Sequence, residues 1–220
     1  MVDKKTPKLN SKCKLLFKNL RNIESISFLN ISKFNGLYAI LGGILGGLGF
    51  LYNSNDVILG SMLVSPLTSP LLRSITGIIT QEPNYTINGL ISVLFLSILI
   101  VVIGIIMGYF NEYFNFFESP TPEMKRRITI QHMIVAFIIA LIAGITIGIS
   151  AYKRHYIVLA GISLVVSILP PLVNAGLYYG DFLYNPGKVV FNDFLRSLLL
   201  SFTNMAGIMI SAYVTLKLLC

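Results

Sequence analysis

Two proline-containing segments hold the residues best suited to bind a solute. The first reads Ser65-Pro66-Leu67-Thr68-Ser69-Pro70, and the second reads Leu169-Pro170-Pro171. Each proline in a helix removes one backbone donor and frees a carbonyl on the preceding turn. Within a membrane such carbonyls need a partner, and together with hydroxyls they can coordinate an ion or a polar solute. One such proline would indicate only a repaired kink, but a matched pair predicts a solute or ion site.

Further polar side chains follow the proline segments. Arg73 lies one turn after Pro70, Asn174 follows the second segment, and Thr203-Asn204 lies in the last apolar run. Arginine inside a bilayer costs at least about 2.5–3.5 kcal/mol, so Arg73 either serves the site and sets its charge preference or snorkels to the interface. Buried asparagines either join helices or line a polar path. The predicted substrate or ion path comprises Ser65, Pro66, Thr68, Ser69, Pro70, Arg73, Pro170, Pro171, Asn174, Thr203 and Asn204.

Apolar runs of membrane-spanning length surround these residues. The chain is 55% hydrophobic and 12% charged, with a mean hydropathy of +0.76, so the bilayer is its expected solvent. A span needs about 20 apolar residues. The acidic residues all fall outside the runs, which predicts that they lie in loops. We therefore expect an all-α, multi-pass membrane protein whose spans are approximately 36–52, 57–80, 87–110, 128–150, 156–180 and 193–217.

The two halves of the chain resemble each other. When Val57 is laid over Ile157, Pro70 meets Pro170 and Leu72 meets Leu172. The resemblance predicts one membrane domain, 36–218, made of two three-helix repeats at about 36–110 and 128–217, with proline-broken second and fifth spans. An odd number of spans in each repeat would make the repeats inverted.

Orientation is less well defined by the sequence. The segments 57–80 and 156–180 could instead re-enter the membrane, and charge counting does not separate the two topologies. We favour six crossings, because 24 residues rising about 1.5 Å each are long enough to cross.

Basic residues concentrate ahead of the first span. Eight of the 17 lysines and arginines precede residue 34, so residues 1–35 form a basic segment suited to lie at the membrane interface. This clustering predicts a cytoplasmic N-terminus. We therefore interpret the net charge of +8 as a topology signal that favours the lipid bilayer, and not nucleic acid, as the partner.

Several chemistries find no support in the sequence. With no carboxylate inside a run, proton coupling through a membrane carboxylate and a Mg²⁺-type site both lose support. His132 and His155 are isolated, and no nucleophile–base pair is readable. We expect no enzymatic activity, no cofactor and no metal. The glycine-rich first and fourth spans predict close helix packing, either within the chain or in a homo-oligomer.

The segment from Asn53 to Leu67 resembles a largely prokaryotic family of hydrophobic proteins, the domain of unknown function 389. The family's pattern at this place is an asparagine-serine turn, then a glycine-alanine-methionine-leucine run into proline-leucine, and a second proline. The resemblance continues in Leu169-Pro170-Pro171-Leu172, Ala175-Gly176 and Thr203-Asn204, and it spans roughly 37–215. Ser61 stands where alanine is usual, and the soluble domain that many members carry is not found. The resemblance implies a six-helix membrane domain and no settled activity.

Two functions from different classes follow. The first is a small transporter or channel whose solute or ion, of open charge, passes between the broken second and fifth spans. The alternative is a structural or assembly protein that organises lipid or partner proteins through its basic tail and glycine faces. Deleting residues 1–33 separates them, because a scaffold should lose its function and a permeation path should keep its flux.

Overall fold

The computed structural model describes residues 35–64, 67–153, 165–187 and 191–219, with backbone alone at 68, 69, 151, 153 and 165–167. The predicted basic segment thus lies outside the described residues except for Asn35. Secondary structure within the described ranges is entirely helical, in agreement with the all-α prediction. The helices are α1 (Asn35–Leu51), α2 (Asn55–Val64), α3 (Thr68–Thr80), α4 (Pro83–Phe114), α5 (Pro122–Arg127), α6 (Ile130–Lys153), α7 (Val165–Tyr184) and α8 (Phe191–Leu219).

Three of the described helices are long and apolar enough to cross a membrane: Pro83–Phe114, Ile130–Ser150 and Phe191–Leu219. Helices α1 and α2 are shorter and also apolar. Large apolar side chains such as Ile91 and Phe95 are exposed on the outer face of α4, while polar residues of α8 such as Ser197 and Asn204 are buried. This distribution suits a lipid solvent and indicates an integral membrane protein.

The second predicted span is interrupted at its proline segment. Leu67 is not helical and α3 begins after it at Thr68, as expected where prolines remove the donors that would continue one helix. Gly46 of α1 lies against Ser61, and Gly77 of α3 lies against Thr86 of α4. Together α2 and α3 therefore lead from the C-terminal end of α1 to the N-terminal end of α4.

The prediction that prolines break the fifth span is wrong. Helix α7 runs without interruption from Val165 to Tyr184 and contains Pro170 and Pro171. The proline φ of about −65° is itself helical, so two adjacent prolines deprive only two carbonyls of their donors. Both prolines are buried, and the rest of α7 is packed between α4 and α8, which keeps the helix continuous.

Glycines allow α4 and α7 to pack backbone against backbone. A Cβ atom on Gly104 would lie 2.7 Å from the carbonyl oxygen of Val173 and 2.9 Å from the Cα of Gly176. Gly108 likewise faces Leu177, at 2.5 Å from its carbonyl oxygen. This contact joins the first half of the chain to the second.

In both halves of the chain, glycines of the first predicted span face the third predicted span, which means α1 against α4 and α6 against α8. Gly43 and Gly47 of α1 contact Ile103 and Met107 of α4. In the second half, Gly144 of α6 contacts Ile208 and Ser211 of α8, and Gly148 contacts Thr215 and Ala212. These glycine faces are therefore occupied within one chain.

The expectation that all acidic residues lie in loops is wrong: Asp56, Glu123 and Asp193 lie in the first turns of helices, and the larger departures are Glu112 and Asp181. Both are helical and buried, because α4 and α7 extend to Phe114 and Tyr184, beyond their predicted ends. The chain after α4 folds back over this end of the bundle, where the Ser119 hydroxyl donates to Oδ2 of Asp181. Asp181 is thus a buried carboxylate that the sequence pattern missed.

Candidate functional site

The short helix α5 connects the two halves and lies across one end of the bundle. Thr121 caps its first turn, because the Thr121 hydroxyl accepts a hydrogen bond from the backbone N–H of Met124 at 3.3 Å. Pro122 occupies the first helical position, where no donor is needed. The Met124 side chain is fully buried and anchors α5 to the core.

Hydrogen bonds tie α5 to both halves. Asn55 Nδ2 donates to Glu123 Oε1 at 3.2 Å, and the Glu123 backbone N–H donates to Asn53 Oδ1 at 3.1 Å. From the second half, Asn174 Nδ2 donates to the Met124 carbonyl at 3.2 Å. The position of α5, and of the arginines at its C-terminal end, is therefore set by residues distant in sequence.

Two arginines of α5 differ in environment. Arg126 forms an ion pair with Glu123 at 3.2 Å, and its side chain is 56% exposed. The Arg127 side chain is 12% exposed, and its guanidinium carbon lies 5.2 Å from the centre of the Phe50 ring. Burial lowers the pKa of Arg127 and Glu123 opposes that shift; an arginine nevertheless stays charged in proteins. A buried cation is thus held at this end of the bundle.

A cavity of about 300 Å³ opens beside these arginines. Its walls come from both halves of the chain, α2 on one side and α5, α6, α7 and α8 on the other. The lining residues are Asn55, Leu59, Met62, Arg126, Arg127, His132, Ala136, Ile139, Pro171, Leu200 and Asn204.

The cavity extends toward the middle of the 29-residue helix α8. Asn204 comes 13 residues after Phe191 in the 29-residue α8, which is about 20 Å along the axis at roughly 1.5 Å per residue. Arg126 is more than half exposed and marks the solvent end, whereas Asn204 is buried at the inner end. Pro171 is also buried and lies one turn from Asn174, which binds α5. Polar groups at both ends and apolar side chains between them are typical of a small-molecule or ion site.

The structure brings two of the predicted path residues into this cavity, Pro171 and Asn204. Pro171 also contacts α8, because Ser197 Oγ donates to the Pro171 carbonyl at 2.9 Å. Asn174 lies one turn further along α7 and binds α5 instead of lining the cavity. Pro70 and Pro170 are buried and lie outside the lining.

Other predicted path residues lie elsewhere. The Thr203 hydroxyl donates within its own helix, to the carbonyls of Leu199 at 2.9 Å and Leu200 at 3.0 Å. The Arg73 guanidinium lies over the Tyr85 ring, 4.8 Å from its centre, near the N-terminal end of α4. Ser65 and Pro66 lie outside the described residues, as do the side chains of Thr68 and Ser69.

Four polar lining residues were missed by sequence reasoning: Asn55, Arg126, Arg127 and His132. In the sequence, Arg126 and Arg127 count only among the charges between apolar runs, and His132 is an isolated histidine. A signal was present, because Arg126-Arg127 directly precede the fourth apolar run and His132 follows one turn later. Sequence spacing alone could not bring them to Pro171 and Asn204.

The fold and cavity define a class: an all-helical integral membrane protein with a polar-ended cavity between two halves of one chain. The chain belongs to the family described as domain of unknown function (DUF389), whose model matches residues 62–210. That range holds the cavity-lining residues except Asn55 and Leu59, so the resemblance stated from the sequence is confirmed. No curated protein and no solved structure matched the chain.

Proposed function

We propose that the protein is a small-solute or ion transporter or channel, and that the cavity between α2 and α5–α8 is its site. The observation that carries the proposal is this cavity of about 300 Å³, whose lining includes the exposed Arg126 and the buried Asn204 and Pro171. Asn204 is a polar residue buried near the middle of the long apolar helix α8, and it lines this cavity.

The proposal includes six crossings in two inverted repeats. Its support is the correspondence of the glycine contacts, since Gly43 and Gly47 face α4 as Gly144 and Gly148 face α8. The course of α2 and α3 along α1 and α4 also favours a crossing over a re-entrant hairpin for 57–80. In an inverted repeat, the broken second span would face the proline-containing fifth span across the site.

Under a cytoplasmic N-terminus, the cavity would open on the opposite side of the membrane. Asn53 and Asn55 bind α5, so the C-terminal end of α1 lies at the cavity mouth. Asn35, at the other end of the 17-residue α1, is about 24 Å away at roughly 1.5 Å per residue. The solute would therefore enter the cavity from the outer side.

Flux measurements on purified protein in liposomes test the proposal. We expect movement of at least one small ion or solute from a panel of Na⁺, K⁺, chloride, phosphate and short carboxylates. Asn204→Leu removes the inner polar group, and Ala136→Phe fills the cavity from α6; each should lower flux about tenfold or more. Thr203→Val is the matched control, because Thr203 neighbours Asn204 yet bonds only within its helix.

Two results would count against this function. One is the absence of flux for every solute in the panel. The other is flux that survives both Asn204→Leu and Ala136→Phe in variants that elute as monodisperse protein. A fall caused by Thr203→Val as large as that caused by Asn204→Leu would show a general loss of folding.

The alternative, a scaffold for lipid or partner proteins, has less support. Its glycine faces on α1 and α6 are occupied within the chain, and its basic tail lies outside the described residues. Assembly through the basic tail stays a prediction. Deleting residues 1–33 remains the test that separates the two functions.

A further inference from the structure

The charges around the cavity have one sign. Among the described lining residues, Arg126 and Arg127 are cationic and none is a carboxylate. Asn55 and Asn204 add uncharged polar side chains to the lining. A solute in this cavity would meet hydrogen-bond donors and positive charge.

Glu123 opposes this charge only in part. It lies 3.2 Å from Arg126 and 4.0 Å from Arg127, and its other oxygen accepts from Asn55 at 3.2 Å. These partners hold the carboxylate at the α5 backbone, outside the cavity lining. One carboxylate beside two guanidinium groups leaves a net positive charge.

Arg127 is held in a geometry that suits a ligand. Its side chain is largely buried between Phe50 and Glu123, and its Nε makes no hydrogen bond within the described part of the chain. A buried guanidinium with an unused donor favours an acceptor group nearby. Because the guanidinium fork matches two oxygens at once, its best partners are carboxylates and phosphates.

The cavity walls strengthen this preference. Leu59, Met62 and Ile139 are among the apolar residues that line the cavity with the arginines and Asn204. Apolar walls lower the local dielectric constant and increase the attraction between a bound anion and the arginines. A volume of about 300 Å³ admits a phosphate-sized or short-chain carboxylate anion.

We infer that the cavity binds a small oxyanion, a phosphate or carboxylate group, through Arg126 and Arg127, with Asn204 at its inner end. The inference deepens the proposed function, on which it rests for taking this cavity as the transport site. The oxyanion is either a free solute or the headgroup of an anionic lipid, and both have the same chemistry at the arginines.

Binding to purified protein in a neutral detergent tests the inference without requiring transport. Thermal unfolding is followed with sodium phosphate or sodium acetate, against choline chloride at equal ionic strength. Phosphate or acetate should raise the unfolding temperature. Arg126→Gln and Arg127→Gln should weaken the apparent affinity on the order of tenfold or more, because each removes a charge-assisted hydrogen bond.

Lys125→Gln is the matched control. It removes the same charge one residue away, from an exposed side chain that does not line the cavity, so the affinity should change less than about twofold. Arg127→Lys guards against misfolding, since it keeps the charge beside Phe50 and removes only the fork. Its affinity should lie between those of the wild type and Arg127→Gln.

A second arm adds phosphatidylglycerol, or phosphatidylcholine as the neutral lipid. Stabilisation by phosphate or acetate without lipid identifies a free anion; stabilisation by phosphatidylglycerol alone identifies a headgroup. Both results support the inference if Arg126→Gln removes them. No stabilisation in either arm, or stabilisation equal in Arg126→Gln and Lys125→Gln, overturns it.

The binding and flux experiments fail independently. Arginine-dependent phosphate binding without any flux would leave the oxyanion site standing and overturn transport. Flux that depends on Asn204 but carries cations, or that is unchanged by Arg126→Gln and Arg127→Gln, would leave transport standing and overturn the oxyanion site.

Discussion

Replacing Gly104 by alanine should separate the two halves of the chain at the contact between α4 and α7. The new methyl group would lie 2.7 Å from the Val173 carbonyl oxygen and 2.9 Å from the Gly176 Cα. These distances are about 0.5–0.7 Å shorter than the 3.4 Å at which ordinary van der Waals contact begins. Because both neighbours are backbone atoms, no side chain can rotate away, and the helices themselves must move apart.

The expected cost follows from that displacement. Overpacking of this kind costs about 1–3 kcal/mol, and a gap of about 0.5–1 Å between packed surfaces forfeits a quarter to a half of their dispersion energy. Alanine recovers at most about 1 kcal/mol through its higher helix propensity. We expect a lower unfolding temperature, at about 2–4 °C per kcal/mol for a chain of this size.

Gly60→Ala is the matched control for this prediction. A Cβ atom on Gly60 would meet no other atom within 4 Å, so only the gain in helix propensity applies. Thermal unfolding of both variants in the same detergent, with the eluted fraction of monodisperse protein as readout, decides the matter. An unfolding temperature for Gly104→Ala that equals or exceeds that of Gly60→Ala would refute the close packing of α4 on α7.

Two further substitutions test how the site is positioned. Asn174→Ala should leave the Met124 carbonyl without its donor, at a cost of about 1–3 kcal/mol, so trypsin should cleave after Lys125, Arg126 or Arg127 about tenfold faster. Asn88→Ala, at an exposed position of α4, is the control. Equal cleavage of the two variants would contradict the hydrogen bond between Asn174 and α5. Arg73→Gln should change the anion-to-cation preference of flux less than Arg126→Gln does, because Arg73 lies over Tyr85 and outside the cavity lining. Reversal-potential measurements check this. A larger effect of Arg73→Gln would mean that Arg73 sets the charge preference, as the sequence predicted.

Local proline chemistry predicted one feature of the fold correctly and another wrongly. Proline chemistry is local, so the interruption between Val64 and Thr68 was predictable from Pro66 and Pro70. The same reasoning wrongly predicted a break at Pro170 and Pro171, because packing by α4 and α8 keeps α7 continuous. Local rules fail where tertiary contacts supply the stabilisation.

Hydropathy, helix length and the ordered proline–asparagine motifs are properties of short segments, so the sequence was enough to predict the solvent, the helical class and the family. It also placed Pro171 and Asn204 in the site. Folding brings four further polar residues into the cavity with them: Asn55, Arg126, Arg127 and His132. Their meeting depends on hydrogen bonds from Asn53, Asn55 and Asn174 to α5, which connect positions 50 to 70 residues apart. Spacing along one helix cannot encode a contact of that range, so the basic end of the cavity became visible only once the chain was folded.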